Sequence, residues 1–157
     1  MSERIGAEDW TEIANVIGRY QWLLDGGEAE AWAGLFTPDG AVRGVGEEVR
    51  GTAALKAAAA ATFAGFRGRM RHAQSALWIE PGASREEAIA RYYALVTTWP
   101  EGRPPELFNL GLCEVRLVRT AQGWKIRSNT ITSLRAEAAG EAMGSAYAPA
   151  VGSSSDL

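Results

Sequence analysis

Near Arg69 the hydrophobic pattern of this 157-residue chain changes period, and that change restricts the fold more than any other feature. Before it, apolar residues recur at helical steps: Ile13, Val16, Ile17, Tyr20 and Leu24 form one stripe. Asp25-Gly26-Gly27 ends that helix, with glycine available for a left-handed position. A short second helix is expected over 28–35, placing Trp32, Leu35 and Phe36 toward the core. Thr37-Pro38-Asp39-Gly40 reads as a turn, 41–45 as a short strand, and 51–64, with five consecutive alanines (Ala57 to Ala61), as a third helix. After the change, 69–80, 86–99, 105–119 and 123–135 read as strands separated by turn-forming segments. Helices first and an antiparallel meander afterwards specify an α+β fold, with the helices packed on one face of a curved sheet. Residues 1–135 are expected to form one domain, and 136–157, which lose periodicity, a tail.

Charge and composition exclude several classes of function. A formal charge of −3 gives no electrostatic reason to seek phosphate backbones, so no nucleic-acid partner is expected. No segment approaches the roughly 18 to 20 uninterrupted apolar residues of a bilayer span, so no membrane partner is expected either. The opening Met1-Ser2-Glu3-Arg4 leads into an acidic segment rather than a signal peptide, and a cytoplasmic location is the expectation. One cysteine, Cys113, precludes an internal disulfide, and with one histidine, His72, leaves too few soft ligands for a structural metal site. Gly44-Val45-Gly46 lacks the third glycine of a dinucleotide loop, and there is no phosphate-cradling Gly-Lys-Ser/Thr, so no cofactor is expected.

Strand alternation indicates which side chains face inward. In Cys113-Glu114-Val115-Arg116-Leu117 the charges fall on one parity, which puts Cys113, Gly111 and Asn109 on the core side. The opposite parity carries Phe108, Leu110 and Leu112, so the outer sheet face is expected to be covered by a second subunit in a homo-oligomer, a dimer or higher. Trp124, Ile126, Ser128 and Thr130 are expected inward, and His72 shares its parity with Met70, Gln74, Ala76 and Trp78. Cys113 reads as a small core residue. Trp22, Trp78, Tyr92, Asn109 and Ser128 are the candidates for lining a substrate pocket.

Several of these residues fall into a familiar arrangement. Tyr20-x4-Asp25, Trp32-x2-Leu35-Phe36-x2-Asp39, Gly51 opening a helix, Arg71-His72, and the strand start Gly123-Trp124-Lys125-Ile126 together resemble the SnoaL-like proteins of the nuclear-transport-factor-2-like (cystatin-like) superfamily. The resemblance spans roughly residues 8 to 135 and implies a cone: three N-terminal helices closing a curved antiparallel sheet around an apolar pocket. Ketosteroid isomerases carry their base on the first short strand, at a position that falls near Gly44 here. Limonene-epoxide hydrolases and polyketide aldol cyclases use late-strand acids. No aspartate occurs between Asp39 and Asp156, and Ser128-Asn129-Thr130 supplies no acid. Scytalone dehydratase and bile-acid dehydratase pair an aspartate ending the first helix with a histidine on the first long strand, assisted by a helical tyrosine. Asp25, His72 and Tyr20 match those positions.

The resemblance therefore implies a cofactor-independent lyase or isomerase acting on a small molecule, and six tryptophans and four tyrosines point to an aromatic or polycyclic one. An imidazole titrating near 6.5 can take and return a proton at neutral pH, and a carboxylate on one ring nitrogen fixes its tautomer. Tyr20, or Asn109 more weakly, would hold a substrate oxygen as charge develops on it. The competing reading is a non-catalytic binding or structural subunit, such as one like the β subunit of ring-hydroxylating dioxygenases.

Overall fold

The computed structural model describes residues 4–134. The apolar stripe read from Ile13 to Leu24 forms helix α1 (Ala7–Asp25), whose buried face is Ile13, Val16, Ile17, Tyr20 and Gln21. Gly27, at φ +76°, turns the chain in a conformation that side chains avoid, and its missing Cβ would lie 2.9 Å from the Phe63 ring. Helix α2 (Ala29–Ala33) buries Trp32, which meets Tyr20 and Phe36 at ring-centroid separations of 5.1 and 4.9 Å. Helix α3 (Thr52–Gly65) carries the alanine run across the mouth of the sheet.

The strands are β1 (Phe36–Arg43), β2 (Val49–Arg50), β3 (Met70–Pro81), β4 (Glu87–Thr98), β5 (Glu106–Thr120) and β6 (Gly123–Ser133). They form one sheet in the order β2-β1-β6-β5-β4-β3. The meander β3 to β6 is antiparallel as expected, whereas β1 enters parallel to β6. Thr37-Pro38-Asp39-Gly40, expected as a turn, lies inside β1, where the register with β6 skips between Phe36 and Ala41. That irregularity accommodates Pro38, which has no N–H for a ladder. Gly44, at φ +90°, lets the loop after β1 press on β6: a Cβ there would lie 1.8 Å from the Ile131 carbonyl oxygen.

Three bulges break the alternation on which inward-facing residues were assigned. In β3, Ser75 opposes Tyr93 and Trp78 opposes Arg91, so one extra residue sits between them, with Ala76 at φ +54°. In β5, Phe108 is the extra residue between the Asn109–Val96 and Leu107–Thr97 pairs. It packs with Met70, Val96 and Phe66 in a small second cluster rather than standing on the outer face. In β6, Arg127 is extra, because Ser128 opposes Arg116 while Ile126 opposes Leu117. Inward parity therefore passes from Trp124 and Ile126 to Asn129, Ile131 and Ser133, and Thr130 is exposed. The expected tail, 136–157, lies outside the described residues.

Candidate active site

Asp25 closes α1, where the helix dipole disfavours a carboxylate, so its position calls for compensating donors. Both donors come from one residue. His72 Nδ1 lies 2.7 Å from Asp25 Oδ1, and the His72 backbone N–H donates to Asp25 Oδ2 at 2.8 Å. That N–H is available because β3 is the last strand of the sheet. The two side chains are only 7 % and 8 % exposed. With Asp25 accepting from Nδ1–H, the neutral ring carries its lone pair on Nε2.

His72 lines a cavity of about 360 Å³ between the helices and the inner face of the sheet. This volume lies at the lower end of the roughly 300 to 1,000 Å³ of small-molecule sites. Small residues create the space: Ala58, Ala59 and Ala61 on α3, and Ala94 and Gly111 at the middle of the sheet. The remaining wall is largely aliphatic and aromatic, and no Lys, Arg, Asp or Glu is among its lining residues. Tyr20 lines it from α1, buried against Trp32 and Phe36. Asn109 lines it from β5, in register through Val96 with His72; its Oδ1 accepts from Ser133 Oγ at 2.7 Å. Tyr92 lines it from β4, with its hydroxyl accepting from Gln21 Nε2 at 3.0 Å.

Burial sets the charge state of this inner wall. Tyr92 is held well above the ordinary phenol range, chiefly by desolvation. Desolvation likewise pushes the neighbouring Cys113 thiol from an ordinary 9.0 to about 12, which makes it a neutral core group rather than a nucleophile.

Other expected site residues lie elsewhere. Trp22 is 81 % exposed, because two residues beyond Tyr20 is the opposite side of a helix. Trp78 is 60 % exposed and stacks beneath the Arg91 guanidinium at 5.4 Å, carried to the outer face by the bulge at Ala76. Ser128 is buried but shares the parity of Arg116, and it does not line the cavity. Two side-chain amides of the cavity, Gln21 and Asn129, were not anticipated. Gln21 continues the stripe at four residues beyond Ile17, a signal present in the sequence. Asn129 owes its place to the β6 bulge, which nothing in the sequence marks.

A sheet closed by three helices around an apolar cavity is the architecture of the cystatin-like, NTF2-like proteins. The chain belongs to the SnoaL-like domain family, which matches residues 6–130. Among solved structures it is similar to an NTF2-like protein with a cystatin-like fold from Novosphingobium aromaticivorans, at 27 % identity and a TM-score of 0.76 over 87 % of this chain and 88 % of that one. It is also similar to ActVI-ORFA from Streptomyces coelicolor, at 25 % identity and TM-score 0.72 over 80 % of this chain and 98 % of that one. A provisionally assigned scytalone dehydratase from Novosphingobium aromaticivorans shares the fold, at 23 % identity and TM-score 0.67 over 79 % and 83 % of the two chains. No curated protein matches the chain in sequence. Among the described residues no helix is long and apolar enough to cross a membrane.

Proposed function

We propose that this protein is a cofactor-independent lyase or isomerase of the dehydratase type, with His72 as general acid–base. The observation that carries the reading is the doubly bonded Asp25–His72 pair opening onto the cavity. In this mechanism His72 Nε2 takes a proton next to an electron sink in the substrate. Asp25 holds the Nδ1–H tautomer and stabilises the imidazolium that forms. Tyr20 holds the substrate oxygen on which charge develops, with Asn109 in a lesser version of that role. The apolar wall excludes water and strengthens each of these interactions. SnoaL-like proteins include polyketide cyclases and dehydratases, which supports the class of chemistry.

The test begins with the ligand that co-purifies with the protein, identified by mass spectrometry and assayed for turnover. His72→Ala and His72→Gln should abolish turnover and leave ligand binding within a few-fold. Full activity in either variant overturns the mechanism. The reading also carries a homo-oligomer: Tyr93, Leu95 and Leu112 are exposed apolar groups on the outer sheet face and suit a second copy of the chain. A light-scattering mass equal to one 16.8 kDa chain at micromolar concentration would count against it.

A further inference from the structure

The cavity carries a polar group, remote from the dyad, to which the mechanism gives no task. Asn129 on β6 is fully buried and lines the cavity, yet neither its Oδ1 nor its Nδ2 has a hydrogen-bond partner among the described residues. A buried amide unpaired at both ends is uncommon, because each unmade bond opposes folding. Its neighbours in register, Val115 on β5 and Val42 on β1, offer only aliphatic side chains. On the inner face of the sheet it stands three strands from His72. Along β5 it is six residues away, counted from Asn109, in the row of His72, to Val115, opposite Asn129.

We propose that Asn129 is a recognition group that binds a neutral hydroxyl on the part of the ligand remote from the reacting centre. A carboxamide offers an acceptor at Oδ1 and donors at Nδ2. A hydroxyl both donates and accepts, so one group can satisfy both atoms. A ketone or carboxylate only accepts and leaves Oδ1 unpaired, and an ammonium only donates. An anion also meets no compensating Lys or Arg among the lining residues. The ligand class is an uncharged molecule whose far side carries a group that both donates and accepts, of which a hydroxyl is the simplest. The assignment needs the cavity to hold a small molecule and does not need the dyad to be catalytic.

The test uses a rigid pair of equal shape, 2-naphthol and 2-methylnaphthalene, titrated by calorimetry at pH 7 into the full-length protein. Wild type should favour the naphthol about tenfold, the size of one well-made polar contact. Asn129→Leu should lose that preference while binding 2-methylnaphthalene at least as well. Its melting temperature should equal or exceed that of wild type, since the substitution removes an unpaired buried amide. Asn129→Val should repeat the loss of preference with a smaller side chain. His72→Gln should keep the preference, which separates this site from the proposed acid–base chemistry. Three results would overturn the assignment: no preference for the naphthol in wild type, a preference that survives in Asn129→Leu, or a lowered melting temperature in both Asn129 variants. The last would mark Asn129 as a structural group.

Discussion

The two ends of the cavity handle polarity in opposite ways. At the β3 end, Asp25 and His72 are nearly buried and bonded twice, through Nδ1 and through a backbone N–H. At the β6 end, the Asn129 side chain is just as inaccessible, and neither end of its amide has a hydrogen-bond partner among the described residues. The first arrangement is set before any ligand arrives, as general acid–base work requires. The second is completed only by whatever enters. A polar group in an apolar wall can thus be a prepared reagent or an unfilled socket, and its hydrogen-bond partners distinguish the two.

The largest expected effects break the prepared end. His72→Ala should lower kcat by about 10² to 10⁴-fold, the usual contribution of a positioned acid–base, with ligand affinity little changed. Asp25→Asn should cost less, about tenfold or more, because the new amide can donate to Nδ1 and displace the proton to the wrong nitrogen. Measuring kcat and KM separately for both variants checks the order. If Asp25→Asn proves the more damaging of the two, the assignment of base and orienting residue is wrong.

Alkaline stability sharpens the comparison along the wall between the ends. Tyr92 and Cys113 both titrate higher in the folded protein than in the unfolded chain. Their contribution is therefore full at neutral pH and is lost as pH rises above the unfolded values, from about 9 for the thiol and about 10 for the phenol. Stability should fall by about 1.4 kcal/mol per pH unit for each group that only the unfolded chain releases. Denaturant titrations between pH 8 and 11 should show this slope, flattened by Tyr92→Phe and by Cys113→Ala. An unchanged slope in both variants would place the alkaline sensitivity elsewhere.

The smallest effects are expected at the two tryptophans outside the cavity. Trp22→Ala should change stability by no more than about 0.5 kcal/mol and Trp78→Ala, which loses the Arg91 stacking, by about 1 kcal/mol, and both should leave ligand affinity unaltered. A marked loss of ligand affinity in either would mean that the cavity extends to a surface the fold turns away from it.

Legibility in the sequence followed the same division. The Asp25–His72 pair was readable through the family resemblance: the stripe, the two glycines and the change of period put Asp25 at a helix end and His72 at a strand start, and only the resemblance set them side by side. Asn109 and Cys113 were readable because alternation in β5 runs unbroken from Asn109 to Leu117. Trp78, Ser128 and Phe108 were misplaced for one reason. A single extra residue in a strand exchanges the two faces beyond it, and a bulge formed without glycine leaves no local mark. The β1–β6 pairing was likewise unreadable, since it joins segments separated by most of the chain and its Pro-Gly content mimics a turn.

The bond from the His72 N–H to Asp25 has a second consequence. β3 ends the sheet, and the outer rim of a terminal strand is a template on which another chain can build. Asp25 occupies one of the donors along that rim at the point where the strand begins. Ala76, in its left-handed conformation, distorts the rim further along. Asp25 thus also blunts an edge that another chain could extend: its carboxylate holds a rim donor that would otherwise stand unpaired.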